Sequence, residues 1–415
     1  MKFKDYRDET LKTFLGDRFT VTYLIMGRDE KNALETGKAM CVEQTVEFPA
    51  AAIEADVIHT DIIGRIETFE ACPEGFRCVI SYNSAGATEE FAQFFNMVFG
   101  NSSFIPFVRV EDIQISKDME KAFPGPKYGL AGMRQLLGIG TDRPLTFTAI
   151  KPMGVPVEAL AEEAYHCARG GIDLIKDDHG LANHAFSPYK ERVFAVSQAV
   201  KRGNEETGHH ALYIPNVPGC GPEIMERVHM AEDAGAGALM LIPGLVSFDM
   251  MKYVSEHTEL PVVCHPAMAA AMLDKGSGGF ECGLLFGLLP RLCGADLTVF
   301  PNYGGRFSLT EDQCRSIVGW CRDPYADLKP IYPCPAGGMT FDRVQNMLDF
   351  YGRDTALLMG GGLFTAEGTL EENCRRFAEK VDLKKCSFLE KCDMIETASV
   401  RVSFFRRKGT DGNDK

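Results

Sequence analysis

The sequence predicts an α/β protein in which a (β/α)8 barrel follows a smaller α+β domain. From Leu145 onward, eight short apolar runs alternate with segments of helical spacing, whereas residues 1–140 show no such repeat. A Pro- and Gly-rich segment at 123–129 is a natural place for the chain to pass into a second domain. Eight βα units over roughly 240 residues match the usual size of such a barrel, about 250 residues.

An open, doubly wound sheet is the alternative arrangement of alternating strands and helices. No Gly-x-Gly-x-x-Gly turn follows the first run, and that turn is the usual mark of such a sheet. The predicted barrel therefore spans residues 141–380, and a helical and polar tail follows at 381–415. The eight predicted strands are Leu145–Lys151, Ile172–Asp177, Ala211–Asn216, Ala238–Ile242, Pro261–His265, Asp296–Pro301, Ile331–Pro335 and Ala356–Met359.

The N-terminal domain, residues 1–140, has the composition of a small mixed sheet with helices packed on it. We expect strands at 19–25, 77–82 and 104–115, and helices at 29–44 and 88–99.

Composition and charge exclude several classes of function. The net charge of −14 argues against binding to nucleic acid or to an anionic membrane surface. No apolar stretch of about 18 residues is present, so no membrane span is expected. The 14 cysteines are scattered without CxxC pairs, and no secretory signal is visible at the N-terminus. Together these features predict a cytoplasmic protein with free thiols.

Charged side chains follow several of the predicted strands. Barrel enzymes carry their chemistry at the C-terminal ends of the strands, so these side chains should meet at one mouth. Lys151 ends the first strand, Lys176-Asp177-Asp178-His179 ends the second, and His265 ends the fifth. Because side chains alternate between the two faces of a strand, Lys176 and Asp178 should point the same way and Asp177 the other.

The second strand end has the composition of a metal site. Asp178 and His179 are plausible ligands of a divalent ion; the carboxylate suits Mg²⁺ and the imidazole suits transition metals. Two ligands are too few, and a third becomes available if a neutral Lys176 reacts with CO₂ to form a carbamate. The alternative is a Lys176–Asp178 ion pair that only closes the barrel layer, and spacing alone does not decide between the two.

Two glycine clusters follow the last two strands, Gly337-Gly338 after the seventh and Gly360-Gly361-Gly362 after the eighth. Loops at these positions commonly bind phosphate, because bare backbone N–H groups can approach its oxygens. The alternative is that the glycines only make tight turns. Lys151 and His265 are candidates for acid–base catalysis, although a surface lysine and a structural histidine are equally compatible with their positions.

The same residues carry a family resemblance. From about Phe19 to Lys380 the sequence resembles the large subunit of ribulose-bisphosphate carboxylase (RuBisCO), and more closely its non-carboxylating relatives, the RuBisCO-like proteins. The segments that carry the resemblance are Gly170–Asp178, Ala149–Pro152, Cys264–Met268, Ala336–Gly338, Gly360–Gly362, Val42–Thr45 and Phe99–Asn101.

The resemblance implies a role for each motif. Lys176 corresponds to the carbamylated lysine and Asp178 to a metal ligand, so that Mg²⁺ and CO₂ are the expected cofactors. Lys151 and His265 correspond to catalytic residues, and Gly337, Gly338, Gly360 and Gly361 to phosphate loops. Glu43 and Asn101 correspond to residues that reach into the partner subunit's barrel. The implied assembly is a homodimer, or a higher oligomer, with shared active sites and a ferredoxin-like N-terminal domain.

Departures from the carboxylase pattern predict a different reaction. His179 stands where the carboxylase has a second metal carboxylate, the loop 300–307 lacks its mobile lysine, and Pro266 replaces an arginine of its second phosphate site. Val299 and Ala336 replace a histidine and a serine.

We therefore expect no CO₂ fixation. The remaining residues suit a reaction through an enolate of a sugar or sugar acid with one phosphate, catalysed by an isomerase, an enolase or a 3-oxo-acid phosphate decarboxylase. The alternative is a catalytically silent homodimer that binds sugar phosphates.

Overall fold

The computed structural model of the protein describes residues 16–87, 90–123, 125–305, 307 and 309–382. The predicted tail therefore lies outside the described residues from position 383 onward. None of the helices in these ranges is long and apolar enough to cross a membrane.

A four-stranded antiparallel sheet forms the core of the N-terminal region. Along the sheet the strands run in the order β4-β1-β3-β2, with two helices in the connections. This βαββαβ arrangement is the ferredoxin-like fold, as expected. The elements are β1 (Arg18–Ile25), α1 (Glu30–Glu43), β2 (Arg65–Cys72), β3 (Gly75–Asn83), α2 (Phe91–Phe99) and β4 (Val108–Gln114).

The sequence prediction of this sheet was incomplete. Strand β2 was missed, because it is an edge strand with mostly exposed side chains and no apolar run. The strand expected at 104–115 begins only at Val108, since Asn101–Phe104 is a 3-10 turn and the Phe104 side chain is 87% exposed. The helix expected at 29–44 is confirmed as α1, with Asp29 capping its first turn through a hydrogen bond from Asn32 N–H.

Two helices connect the sheet to the barrel, α3 (Lys117–Glu120) and α4 (Gly129–Leu137). The barrel alternates eight main strands with helices, and all eight predicted strands are confirmed, most of them shorter than expected. In chain order its elements are β5 (Leu145–Ile150), α5 (Val157–Arg169), β6 (Leu174–Asp177), α6 (Tyr189–Thr207), β7 (Leu212–Ile214), α7 (Pro222–Ala234), β8 (Leu239–Leu241), α8 (Pro243–Val246), α9 (Phe248–His257), β9 (Val262–Cys264), β10 (Gly279–Phe280), α10 (Leu289–Leu292), β11 (Leu297–Pro301), α11 (Glu311–Arg322), β12 (Tyr332–Ala336), α12 (Val344–Tyr351), β13 (Ala356–Leu358), α13 (Gly361–Thr365) and α14 (Leu370–Val381).

Single helical turns occur in several connections. They are 3-10 turns at Ala50–Ala52, Ser84–Gly86, Asn101–Phe104 and Ala269–Ala271, and π turns at Ile58–Ile62 and Leu284–Leu288.

The barrel strands are all parallel and follow the order β7-β6-β5-β13-β12-β11-β9-β8. The remaining gap, between β7 and β8, is closed by backbone hydrogen bonds just beyond β7. Met240 N–H donates to the Pro215 carbonyl at 2.9 Å, and Val217 N–H donates to the Met240 carbonyl at 2.9 Å. The sheet is therefore a closed barrel.

Side chains in the barrel interior define which residues reach the mouth. One buried cluster contains alternate residues of the strands, among them Phe147, Leu174, Ile214, Val263 and Leu358. Since side chains alternate, positions an even number of residues further along each strand also face inward. These upper positions are Lys151, Lys176, Asp178, Asn216, His265 and Gly360.

The connection after β9 joins the barrel to the N-terminal sheet. Within it, β10 pairs in parallel with β4, so that Gly279 lies opposite Arg109 and Phe280 opposite Val110. The Phe280 ring stacks on Phe95 of α2 at a centroid distance of 5.2 Å. The segment that follows His265 is thus held by the N-terminal region of the same chain.

Candidate active site

Lys176 is the innermost charged residue of the mouth. Its side chain is buried, and Nζ donates to the backbone carbonyl of Asp177 at 2.8 Å. Burial lowers the pKa of this amine to about 8, although the nearby carboxylates of Asp178 and Asp177 oppose the shift. A substantial neutral fraction is therefore present slightly above neutral pH, as carbamate formation requires.

Asp178 lies next to Lys176 on the same face, as the alternation predicts. Its Oδ1 is 3.5 Å from His179 Nδ1 and 4.0 Å from Lys151 Nζ. Burial alone would raise the pKa of the Asp178 carboxyl, but the hydrogen bond with His179 and the charge of Lys176 lower it well below its usual value. Asp178 is therefore ionised and suited to bind a cation.

His265 approaches the same group from β9. Its ring stacks on that of His179, with a centroid distance of 4.8 Å and an interplanar angle of 13°. Burial lowers the pKa of His265 well below its ordinary value, and the charge of Lys176 adds to the effect. His265 Nδ1 accepts a hydrogen bond from Ala267 N–H at 3.3 Å, which leaves the proton of the neutral ring on Nε2.

Asp177 points away from the mouth and anchors the strand end. It is fully buried and contacts Arg192 Nε of α6 at 3.2 Å, Tyr213 OH at 2.8 Å and Asn216 N–H at 3.1 Å. Sequence analysis predicted its orientation but missed these partners. The available signal was Arg192, an arginine in the helical segment that follows the strand ending in Asp177.

The two glycine clusters lie side by side, since β12 pairs with β13 at Ala336 and Leu358. Gly337 and Gly338 have φ angles of 85° and 71°, a left-handed conformation that favours glycine. Among the described residues, the backbone N–H groups of Gly337, Gly338 and Gly361 have no hydrogen-bond acceptor. These donors at the mouth are available to an anion.

Gly360 also makes room for Lys151. A side-chain carbon at Gly360 would stand 3.1 Å from Lys151 Nζ, closer than most real contacts of such a carbon. The backbone N–H of Lys151 donates to Glu163 on α5 at 3.1 Å, which fixes the start of its loop. The predicted acid–base lysine and the predicted phosphate loop are therefore adjacent.

Glu43 and Asn101 lie together in the N-terminal region. Asn101 Nδ2 donates to Glu43 Oε1 at 3.0 Å and to Glu47 Oε1 at 3.3 Å. Among the described residues, the two side chains thus hydrogen-bond to each other and to Glu47, and the mouth group described above consists of barrel residues.

The donor set of the mouth fits a divalent metal only with an added ligand. In the ranges that the structure describes, no three His, Cys, Asp or Glu side chains are grouped so as to hold an ion. Asp178 Oδ1 and His179 Nδ1 lie 3.5 Å apart and share a hydrogen bond, so His179 would give up that proton to act as a ligand. Lys176 is the third side chain of the group. A carbamate on Lys176 would complete an oxygen-rich set.

Sequence comparison gives the chain clear relatives. Residues 129–370 match the family described as ribulose bisphosphate carboxylase large chain, catalytic domain. RuBisCO-like protein 1 of Rhodopseudomonas palustris is 39% identical over 369 residues, which cover 88% of this chain and 98% of that protein. A 5-methylthioribulose-1-phosphate isomerase of Rhodospirillum rubrum is 34% identical over 370 residues, covering 88% and 97%. A 2,3-diketo-5-methylthiopentyl-1-phosphate enolase of Bacillus velezensis is 29% identical over 351 residues, covering 82% and 86%.

The fold agrees with these matches. The crystal structure of a Rubisco-like protein from Rhodopseudomonas palustris superposes with a TM-score of 0.79 at 39% identity, covering 88% of this chain and 97% of that one.

Proposed function

The chain belongs to the family of the ribulose bisphosphate carboxylase large chain, and from that membership we propose that it is a metal-dependent enolase or isomerase of a sugar phosphate with one phosphate group. One observation carries the proposal. Lys151, Asp178, His179 and His265 form one chain of contacts at the end of the barrel that carries the buried amine of Lys176. Such a group suits removal of a proton beside a carbonyl.

Lys176, as a carbamate, together with Asp178 and His179 would hold the metal ion. When bound, Mg²⁺ supplies a positive charge that stabilises negative charge on a substrate oxygen. The low pKa of Asp178 keeps this ligand ionised, and the burial of Lys176 favours the neutral amine from which a carbamate forms.

Lys151 is the proposed base. His265 Nδ1 already accepts the Ala267 N–H, so the neutral ring presents Nε2–H and acts as a hydrogen-bond donor. Lys151 Nζ, 4.0 Å from Asp178 Oδ1 at the same mouth, is then the nitrogen that would accept a proton from the substrate carbon. His265 Nε2–H would then donate a hydrogen bond to a substrate oxygen and stabilise the negative charge that develops on it.

The phosphate would bind to the N–H groups of Gly337, Gly338 and Gly361. On the opposite side of the mouth Pro266 follows His265, so this position supplies neither a cation nor an N–H donor for a second phosphate. The isomerase and the enolase described above are named for 5-methylthioribulose 1-phosphate and 2,3-diketo-5-methylthiopentyl 1-phosphate, and we propose that this chain uses a substrate of that class.

The test follows the substrate proton in D₂O. Purified protein, activated with Mg²⁺ and bicarbonate, should exchange a carbon-bound proton of 5-methylthioribulose 1-phosphate or of 2,3-diketo-5-methylthiopentyl 1-phosphate, as read by NMR. Lys151→Met should abolish exchange while the protein still binds Mg²⁺. Absence of exchange with both compounds in the wild-type protein would refute the enolate reaction, and carboxylation of ribulose bisphosphate would refute the expectation of no CO₂ fixation.

A further inference from the structure

Asn216 is a polar residue of the barrel interior to which the proposed reaction gives no role. It follows β7, and only 3% of the residue is exposed to solvent. Ile214, two residues earlier, belongs to the interior cluster, so Asn216 also faces inward. Strand β7 pairs with β6, with Ile214 opposite Lys176. Asn216 therefore lies beside the end of the strand that carries Lys176 and Asp178.

The side-chain amide of Asn216 fastens the turn that carries the predicted metal ligands. Residues 178–181 form a tight turn in which Leu181 N–H donates to the Asp178 carbonyl at 2.9 Å. Asn216 Nδ2 donates to the carbonyls of His179 at 3.2 Å and Leu181 at 2.9 Å. On its other side the turn is held by Asp178 N–H, which donates to the Ile150 carbonyl at 3.2 Å.

The two donor bonds also fix the orientation of the amide. Both acceptors are carbonyl oxygens, so the NH₂ group must face the turn and Oδ1 must face away from it. Asn216 Oδ1 is buried and has no hydrogen-bond partner among the described residues. A buried acceptor without a donor is unfavourable, so the two donor bonds to the turn are what hold the amide in this orientation.

We propose that Asn216 is a positioning residue, which holds the Asp178–His179 turn in the conformation that binds a divalent ion. The inference rests on the proposed metal-dependent function. Asn216 contacts the backbone of the turn and not the ligand atoms, so its loss should weaken metal binding without removing a ligand.

Asn302 provides a matched control at another strand end. It is also an asparagine with a fully buried side chain, and it directly follows β11. Its Oδ1 accepts a hydrogen bond from Tyr351 OH of α12 at 2.6 Å, on the outside of the barrel. Substitution of Asn302 therefore removes a buried amide without touching the turn at 178–181.

The experiment compares Asn216→Leu with Asn302→Leu, since leucine has the same branched heavy-atom skeleton as asparagine and donates no hydrogen bond. Binding of Mn²⁺ in the presence of bicarbonate is measured by electron paramagnetic resonance, and stability by thermal unfolding. We expect Asn216→Leu to bind Mn²⁺ about tenfold to a hundredfold more weakly and Asn302→Leu to bind it as the wild type does. Backbone hydrogen exchange at 178–182 should become faster only in the Asn216 variant.

Three results would contradict these expectations, and they differ from one another. Wild-type affinity in Asn216→Leu overturns the positioning role alone. Equal weakening in both variants at equal loss of stability assigns the effect to general destabilisation and also overturns it. A wild-type protein that takes up no Mn²⁺ overturns the proposed metal-dependent function and, with it, the role of Asn216. If Asn216→Leu does not fold, Asn216→Ala replaces it in the same comparison.

Discussion

Lys176 shows how burial prepares a side chain for chemistry. An exposed lysine amine titrates near 10.5, whereas burial lowers the pKa of Lys176 to about 8. The charged form is disfavoured inside the barrel more than the neighbouring aspartates favour it. At pH 7 the amine is mostly protonated, and at pH 9 it is mostly neutral. Only the neutral form reacts with CO₂, so the reaction should respond to pH in this range.

The first prediction concerns this pH dependence. Carbamylation of Lys176, detected with ¹³C-bicarbonate by NMR at constant dissolved CO₂, should rise between pH 7 and pH 9, because the neutral fraction of the amine grows through its pKa of about 8. Lys176→Arg should abolish the signal, because guanidinium does not form a carbamate. Lys201→Arg, on the exposed face of α6, should leave it unchanged. A signal that is equally strong at pH 6 and pH 9 would contradict the assignment.

Sequence reasoning found most of the charged residues of the mouth and missed their polar supports. Lys176, Asp178 and His265 were predicted because charges after buried strands stand out in the sequence. The tautomer of His265 and the role of Asn216 were not predicted, since both depend on backbone groups distant in the chain, Ala267 N–H and the carbonyls of the 178–181 turn.

At the scale of elements, Asp177 joins the end of β6 to helix α6. The ion pair between Asp177 and Arg192 has no solvent exposure on either side chain, and Tyr213 satisfies the second carboxylate oxygen. Breaking a buried pair on one side leaves an uncompensated charge, which is strongly destabilising. The same strand end carries the site, so its rigidity also sets the position of Asp178.

The second prediction tests this link. Arg192→Met should lower the free energy of unfolding by about 3–5 kcal/mol in urea denaturation at pH 7. Lys201→Met on the same helix is the control, because its pair with Glu205 is exposed and 3.9 Å long and should contribute little. A similar decrease in the free energy of unfolding in both variants would show that the buried pair stabilises the protein no more than the exposed one.

The elements themselves were predictable to the extent that they are buried. The barrel strands consist mainly of buried, apolar residues, so the sequence predicts all eight. Strand β2 lies at the edge of its sheet with mainly exposed side chains and therefore lacks that signal. The strand predicted at 104–115 starts too early, because Phe104 and Phe107 are exposed and precede β4.

At the scale of the whole molecule, the side chains of Glu43 and Asn101 form no hydrogen bond with the mouth group among the residues that the structure describes. Their predicted role is in the barrel of a partner subunit, which would make the homodimer the functional unit. Dimers with two shared sites have a testable property: each site takes residues from both subunits.

The third prediction uses this property. Lys151→Met and Glu43→Gln should each inactivate the homodimer. A hybrid dimer, purified with two different affinity tags, should regain about half of the wild-type activity, because one of its two sites is intact. A hybrid as inactive as its parents would contradict shared sites, and a monomer in sedimentation velocity would contradict the assembly itself.

The short strand β10 has a consequence for how this chain can be inherited. Strand β10, which belongs to the barrel part of the sequence, is the fifth strand of the N-terminal sheet. One region therefore cannot be exchanged for that of a relative without affecting the other. A recombination event that replaced only the first 140 residues would place a foreign β4 beside the resident Gly279–Phe280 and a foreign α2 beside Phe280. A functional recombinant would therefore need an N-terminal region and a segment after His265 that still pack against each other. These two stretches of the gene should be inherited together.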